Sequence, residues 1–310
     1  MKMTAKSVVF GSLIILAAVV LIAVVLPYAT RNDLPSDIFR VRTSDEQKGR
    51  LLYIENGCVY CHSQSIRTID WGLGAERIAQ AGDYVLDQPI LLGSARTGPD
   101  LSQEGGEHPD DWHVAHFMNP RNTRPLSIMP AFAPLGLKKI NLLTAYVQSL
   151  GYKDADHRVT RQLEWKKKSV DAYEAGPDAN VAWLNTHIPQ GWRDIPNPYP
   201  TSSAGLARGH KIYQDNCMGC HSPIGDGMGP AQPYLYPPPF NFTLLKNREI
   251  SGGILYYQIM NGITGTAMPY FKRELESEKI WDVGNFVAVY FIDRSDANSK
   301  PRGIDAAYEP

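Results

Sequence analysis

The chain contains four cysteines, which occur as two pairs of the same spacing, each followed directly by a histidine. The two sets read "CVYCH" and "CMGCH" and comprise Cys58, Cys61 and His62, then Cys217, Cys220 and His221. Thiols about one helical turn apart can add to the two vinyl groups of one porphyrin, and the adjacent histidine then lies under the iron as its proximal ligand. The spacing therefore predicts two covalently bound haems c.

Two other uses of paired cysteines explain these motifs less well. A structural zinc site uses two Cys-x-x-Cys knuckles, and an oxidising compartment allows disulfides or thioredoxin-like pairs. Neither use explains why a histidine directly follows each pair.

Two methionines share a sequence setting that suits a ligand on the far side of each iron. Met129 lies in "SIMPAF" and Met268 in "GTAMPYF", and each precedes a helical stretch. A methionine that only fills a core does not explain this shared setting. We expect His62 and Met129 to ligate the first iron. We expect His221 and Met268 to ligate the second.

Three histidines near the first motif compete with its methionine. His108 precedes "DDWHVAHF", and His113 and His116 lie within that helical pattern. We expect the last two to be a packed or hydrogen-bonded pair, and bis-His ligation stays open as an alternative. Histidine and methionine together raise the potential and fill both axial positions. The sequence thus favours electron transfer and no catalytic residue in this chain.

Residues around each motif are candidates to support the haems. "RTGPDL" and "DGMGPA" each place Gly-Pro after a Cys-Cys-His motif. In the class I cytochrome c fold the carbonyl of such a proline accepts the ring N–H of the proximal histidine. We expect Pro99 and Pro230 in this role, with plain turns as the alternative. Arg96 is expected at a haem propionate, with a surface salt bridge as the alternative.

The elements around the two motifs repeat in the same order. Gly49 and Gly209 are each followed four residues later by a tyrosine, on one face of a helix that leads into a cysteine pair. That pairing would let a second helix cross closely. Amphipathic stretches at 138–151 and 276–292 supply candidate final helices. The predicted fold is mainly α, with one N-terminal transmembrane helix followed by two class I cytochrome c domains.

The repeat sets the predicted boundaries. The predicted segments are an anchor at 1–30, a first cytochrome c domain at 31–151, a connector at 152–203, a second domain at 204–295 and a C-terminal tail at 296–310. We expect the connector to pack over both domains, and a partner-docking surface that uses Trp183 and Trp192 is the alternative.

The N-terminus indicates the compartment. Residues 8–26 carry no charge and are long enough to cross the hydrocarbon core of a bilayer. Lys2 and Lys6 precede them, so the N-terminus is expected in the bacterial cytoplasm and the haem domains in the periplasm. Membrane lipid is then a partner of a single-pass anchor. A cleaved signal peptide is the alternative, although its apolar region would usually be shorter.

The overall charge does not favour binding to a polyanion such as nucleic acid. Charged residues make up 20% of the chain and the net charge is −1. We expect no nucleic-acid partner.

The first half resembles the membrane-anchored monohaem cytochrome c subunit of cbb3-type haem-copper oxidases. The matching stretches are "GCVYCHSQSIR" (57–67), "LDQPILLGSARTGPDL" (86–101), "DDWHVAHFMNPR" (110–121) and "PLSIMPAFAPL" (125–135). The resemblance implies an electron-transfer subunit that accepts electrons from other cytochromes c and passes them to an integral-membrane catalytic subunit. By position it assigns the first haem to Cys58, Cys61, His62 and Met129.

The chain departs from that family by carrying a second haem motif. It looks like a fusion that serves as the electron-entry subunit of a respiratory complex. The expected donor is a cytochrome or a quinol-oxidising complex. A nitric oxide reductase subunit, a dihaem peroxidase and a free-standing tethered shuttle are the alternatives.

Overall fold

The computed structural model describes residues 4–30, 34–73, 77–93, 95–245 and 250–293. The predicted tail at 296–310 lies outside the described residues. Within them the backbone is helical apart from loops, and one isolated bridge between Gly105 and His108 is the single strand-type pairing. The prediction of a mainly α fold is confirmed.

Eleven α-helices occur in the described residues. They are α1 (Ala5–Thr30), α2 (Ser44–Glu55), α3 (Asp110–Met118), α4 (Gly136–Gln148), α5 (Tyr152–Glu174), α6 (Pro177–Thr186), α7 (Gln190–Arg193), α8 (Ser203–Asn216), α9 (Met218–His221), α10 (Gly252–Asn261) and α11 (Ser277–Val287). Helix α1 contains a π-helical segment at Leu21–Val25, and a second one, Ala288–Ile292, extends α11.

The chain divides into two compact units, of which the smaller comprises 1–39 and 80–90. Its helix α1 is 26 residues long, and its most apolar part has a mean hydropathy of 3.2. By length and composition α1 can cross a membrane, although a signal sequence would meet the same criteria. In the rest of this unit the Ser36 hydroxyl donates to Asp83 Oδ1 at 2.5 Å.

In the larger unit (40–79 and 91–310), α2 and α4 cross at a glycine. Helix α2 begins at a capping box in which Thr43 and Glu46 bond each other's backbone N–H. A Cβ atom at Gly49 would lie 1.9 Å from the carbonyl oxygen of Leu142, so only glycine permits this crossing. Tyr53 packs edge-on against Tyr146 inside the same core. The expected close crossing is confirmed.

Helices α8 and α11 repeat this arrangement in the second half of the larger unit. A Cβ atom at Gly209 would lie 2.2 Å from the carbonyl oxygen of Asp282. Tyr213, four residues on, is 1% exposed and contacts Phe286 in the second core. Each helix pair therefore holds the start of one Cys-Cys-His turn against a fixed core.

Helix α5 bonds both halves of the larger unit. Arg158 donates to the carbonyl oxygens of Gln103 and Gly105 in the first half. On the other side, the Ser169 hydroxyl donates to the carbonyl oxygen of Gly265 at 3.1 Å. The connector thus packs over both halves, as expected. Of the two tryptophans that could have formed a docking surface, Trp192 stacks on Tyr256.

Candidate haem sites

The first Cys-Cys-His turn follows the end of α2. Gly57 has a φ of 69°, a left-handed conformation that glycine adopts without strain, and it turns the chain into a short 3₁₀ segment, Cys58–Tyr60. The carbonyl oxygen of Cys58 then accepts the backbone N–H groups of Cys61 and His62 at 3.1 and 3.0 Å. One tight turn of backbone therefore contains Cys58, Cys61 and His62.

A proline carbonyl orients the first histidine. His62 Nδ1 lies 2.9 Å from the carbonyl oxygen of Pro99. Because a carbonyl only accepts, Nδ1 carries the proton and Nε2 keeps the lone pair that can bind a metal. The imidazole lies directly over Gly98, where a Cβ atom would be 2.2 Å from His62 Cε1. This is the contact expected of Pro99.

Arg96 has other partners than the one expected. Its guanidinium donates to Ser63 Oγ at 2.6 Å and forms an ion pair with Asp70 at 2.8 Å. Ser63 Oγ in turn donates to Asp100 Oδ2 at 2.6 Å. These bonds brace the loop beside His62, and a contact of Arg96 with a haem propionate stays a prediction. The salt-bridge alternative is the one observed.

Met129 lies on the same core as the first cysteine. Both Met129 and Cys58 pack, partly buried, against the cluster formed by α2 and α4. The backbone of Met129 is held on both sides: its N–H donates to Ser127 Oγ at 3.2 Å, and its carbonyl accepts from Arg121 at the same distance. Two hydrogen bonds thus hold the backbone of the methionine loop at Met129.

The second turn has the same hydrogen bonds as the first. The carbonyl oxygen of Cys217 accepts the N–H groups of Cys220 and His221 at 3.1 and 2.9 Å. Burial raises the pKa of both thiols to about 12, so they are neutral and unlike the activated thiolates of catalytic or redox-exchanging cysteines. Burial also lowers the pKa of His221 to about 4 and keeps the imidazole in its metal-binding neutral form.

The second histidine does not contact the proline expected for it. His221 Nδ1 lies 3.3 Å from the carbonyl oxygen of Phe240, and the ring stacks on Phe242 at 4.5 Å. The acceptor in the structure is the Phe240 carbonyl and not the Pro230 carbonyl. The segment around it pairs instead with the backbone of the turn, since the N–H of Gly229 donates to the Cys220 carbonyl at 3.1 Å. The sequence signal for Phe240 is its place in the proline-rich run 236–242, which crosses this histidine.

An apolar cavity joins the four ligand candidates of the second set. Its lining includes Cys217, Cys220, His221 and Met268. Prolines and aromatic residues of 237–242 form another wall. Two thiols, one neutral imidazole and one thioether around an apolar space are the donors that a covalently attached, six-coordinate haem requires. The residues that line this cavity therefore fit a covalently bound haem c.

A hydroxyl two residues before each methionine escaped the sequence analysis. Thr266 Oγ1 accepts the N–H of Met268 at 3.2 Å, and Ser127 makes the equivalent bond to Met129. The signal was present in the sequence, because "SIM" and "TAM" align once the two methionine loops are superposed. The match extends the repeat from residue types to backbone geometry.

Of the two histidines of α3, His113 is buried and His116 is half-buried. His116 Nδ1 lies 2.7 Å from Thr123 Oγ1, and Trp112 stacks on the His116 ring at 4.8 Å. His113 is 2% exposed. Both histidines are thus packed, as expected, and His116 is also hydrogen-bonded, whereas Nε2 of His113 has no hydrogen-bond partner.

The comparison with known families covers both halves of the chain. The family described as "Cytochrome C oxidase, mono-heme subunit/FixO" matches residues 1–175. This chain belongs to that family. The family described as "Cytochrome C oxidase, cbb3-type, subunit III" matches residues 204–287. The resemblance read from the sequence is confirmed, and it extends to a cbb3-type domain in the second half.

Membership of the FixO family establishes several general properties. The chain has a cytochrome c role in electron transfer and binds haem c covalently. The family is membrane-anchored and associates with a respiratory oxidase complex. Helix α1 is consistent with that anchor.

Two further similarities are weaker. A thiosulfate dehydrogenase from Thiomonas intermedia (strain K12) is 27% identical over 126 residues, which are 39% of this chain and 38% of that protein. The FixO-family chain thus spans well under half of that relative. A solved chain of the Kuenenia stuttgartiensis reducing HAO-like protein complex aligns with 82% of this chain and 99% of its own, at 17% identity and a TM-score of 0.29.

In this FixO-family chain, the two matched regions touch at the second cysteine turn. Trp112 and Ala115 of α3 share a buried cluster with Ala231, Leu235 and Ala267. The carbonyl oxygen of Asn122 lies 4.0 Å from Cys220 Sγ, and a Cβ atom at Gly219 would approach that oxygen to 2.3 Å. The first half therefore supplies part of the wall around the second site.

Proposed function

We propose that this chain is a membrane-anchored dihaem cytochrome c that transfers electrons to the catalytic subunit of a cbb3-type oxidase. In this proposal each half is a class I cytochrome c domain, with the limits predicted from the sequence. The proposed ligands are Cys58, Cys61, His62 and Met129 for one haem and Cys217, Cys220, His221 and Met268 for the other.

The assignment of the second haem rests on one observation. Both thiols, the histidine and the methionine of the second set line one apolar cavity. The first haem is supported by the imidazole of His62, which Pro99 holds with Nε2 available. A bound haem c supplies one reversible electron at iron. The two cysteines of each set would hold the haem covalently, and the histidine and methionine of that set would ligate its iron.

The contacts between the halves support an internal relay. Arg121 bonds the carbonyl of Met129 in the first methionine loop. The next residue, Asn122, places its carbonyl oxygen 4.0 Å from Cys220 Sγ. Two residues of one loop thus link a ligand candidate of one site to a thiol of the other. We assign electron entry to the second site and exit toward the membrane to the first.

The orientation follows from the charges before α1. Lys6 lies just inside its N-terminal end, and Lys2 precedes it. The positive-inside rule then places the N-terminus in the cytoplasm and both cytochrome halves in the periplasm. The donor is a periplasmic cytochrome or a quinol-oxidising complex.

The haem content tests the first part of the proposal. The full chain, made with a haem c maturation system, should carry two haems per chain that survive denaturation. Paired substitution of Cys58 and Cys61 by alanine should leave one, and so should the same change at Cys217 and Cys220. The measurement is protein mass together with the pyridine haemochrome spectrum. One haem in the unaltered protein would contradict the proposal.

Purification of the native complex tests the partner. The expected largest subunit is a haem-copper oxidase that reduces oxygen with electrons from this chain. A nitric oxide reductase as the largest subunit would overturn the oxidase assignment. Carbon monoxide binding at either reduced haem c would contradict six-coordinate ligation and favour a peroxidase.

A further inference from the structure

A compact cluster of metal-ligating side chains lies outside both haem sites. Glu104, His108 and His113 place their ligand atoms within 4.8 Å of one another. Two of these residues lie in the loop before α3 and the third in its first turn. We propose that this cluster binds a divalent transition-metal ion of the zinc type.

His113 carries a buried ring nitrogen, Nε2, that has no hydrogen-bond partner. The side chain is 3% exposed, and Nε2 makes no hydrogen bond. The nearest ion-pair partner, Glu104 Oε1, is 3.9 Å away, which exceeds any hydrogen bond. A buried polar atom without a partner destabilises the fold, because it has lost its hydrogen bonds to water. A cation between this nitrogen and the carboxylate satisfies both atoms.

The remaining donor completes the set. His108 Nδ1 lies 2.8 Å from the same oxygen of Glu104. Two imidazoles and one carboxylate are a zinc donor set that leaves a fourth position for water. Bonds of about 2.0–2.2 Å in a tetrahedron separate neighbouring ligand atoms by about 3.3–3.5 Å. The distances from Glu104 to the two histidines, 2.8 and 3.9 Å, bracket that separation, and all three ligand atoms lie within 4.8 Å of one another.

The donor types also exclude the commoner hard cations. Calcium and magnesium are bound by oxygen ligands in proteins. Imidazole nitrogen favours zinc, copper or nickel. With two of three donors being imidazoles, a zinc-type ion is the chemistry that fits.

The position of the cluster gives the ion a structural role. His108 stacks on Trp112 with ring centroids 3.8 Å apart. Trp112 in turn belongs to the buried cluster that reaches Cys220. An ion at this cluster ties the loop before α3 to the helix, and so fixes the ring that forms part of the second haem's wall.

Zinc binding to the chelator-washed dihaem protein tests the proposal. We expect one zinc per chain by elemental analysis, alongside two irons, and an X-ray absorption spectrum with two imidazole ligands and oxygen. Glu104→Gln and His113→Gln should each weaken zinc binding by about 100-fold or more in titration calorimetry. The control His157→Gln removes an exposed histidine of α5 and should bind zinc as the unaltered chain does.

Two results would overturn the site. One is the absence of bound zinc in the unaltered chain. The other is equal zinc affinity in the two cluster variants and the control. The haem spectrum and the unfolding midpoint of each variant show that it is folded, so a lost affinity reports on the ligands. Zinc content is measured independently of electron transfer, and the result holds whichever oxidase the chain serves.

Discussion

At the scale of single residues, the two histidines that follow the cysteine pairs differ in how they are held. His62 sits against a glycine and donates to a proline carbonyl, whereas His221 donates to a phenylalanine carbonyl and stacks on an aromatic ring. Hydrogen bonding to a ligating histidine sets its orientation and its basicity. In the proposed dihaem protein the two irons would therefore have different potentials, although the proposed ligand types are the same.

The glycine under His62 offers a direct test. In Gly98→Ala the new Cβ atom would lie 2.2 Å from the ring, so we expect the imidazole to turn away from the Pro99 carbonyl. The first haem's potential should shift and the second should not, as measured by redox titration followed optically. The control Gly191→Ala has no atom near its new Cβ and should leave both potentials unchanged. Two unchanged potentials in Gly98→Ala would refute the contact.

The loop beside His62 should show a defined pH dependence. Hydrogen bonds from Arg67, then Arg96, hold the pKa of Asp70 well below its usual value of 3.8. A depressed carboxyl pKa stabilises the fold above the unfolded-state pKa, and this contribution is lost as pH falls through the folded-state pKa. Asp70→Asn should therefore lower the unfolding midpoint at pH 7, and the difference should shrink below about pH 4.

Thermal unfolding between pH 7 and pH 3 measures this difference. The exposed pair of Lys167 and Asp171 provides the control, because Asp171→Asn removes an ion pair of little value in water. A difference between Asp70→Asn and the unaltered chain that grows on acidification would show that the sign is wrong.

At the scale of helices, the crossings are the part that the sequence predicts best. A glycine and a tyrosine four residues apart mark the face of a helix before each cysteine pair, and both crossings occur there. Local periodicity suffices because a close crossing needs a residue without a side chain. The same logic covers the methionine loops, whose order relative to the final helices is visible in the chain.

A substitution at one crossing should be costly. Gly209→Ala would place Cβ 2.2 Å from the backbone of Asp282, and overpacking of this kind costs about 1–3 kcal/mol. The free energy of unfolding, from denaturant titration, should fall accordingly. Gly284→Ala in α11 is the matched control, because its new Cβ meets nothing closer than 3.9 Å. It should gain up to about 1 kcal/mol from helix propensity. Equal effects would contradict the close approach.

Other contacts of the sites were beyond the reach of sequence patterns. Asp70 and Arg96 pair across a loop without periodicity, and the Phe240 carbonyl reaches His221 only through the path of a proline-rich loop. The repeat predicts the same kind of acceptor for both histidines, whereas the structure has Pro99 at His62 and Phe240 at His221. These contacts depend on where irregular backbone runs in space, and residue types carry little of that information.

At the scale of the whole chain, the larger unit is one assembly of two similar halves. Arg124 forms a bidentate ion pair with Glu274 across the two halves. Its Nη1 lies 2.6 Å from Oε2 and its Nη2 lies 2.7 Å from Oε1. Exposed pairs of this kind contribute less than about 1 kcal/mol. The buried cluster around Trp112 therefore holds the halves together more than this charge pair does.

The contact at Gly219 is the place to disturb the proposed relay. In Gly219→Ala the new Cβ would lie 2.3 Å from the Asn122 carbonyl oxygen, which should push the second cysteine turn away from the first half. Electron exchange between the haems should slow, as followed by flash photolysis, while the spectrum of each haem is retained. Gly191→Ala again serves as the control. An unchanged exchange rate would exclude this loop as the route.

Helix α5 is hydrogen-bonded to Gly105 on one side and to Gly265 on the other, so it holds the two halves at a fixed separation. Two independent cytochromes exchange electrons only when they collide, at a frequency set by their concentrations. When two domains are held together in one chain, electron exchange between them needs no collision. The rate of electron transfer between the two proposed haems would then stay constant when the protein is diluted or the cell becomes crowded. Only the encounters with the electron donor and the electron acceptor would vary.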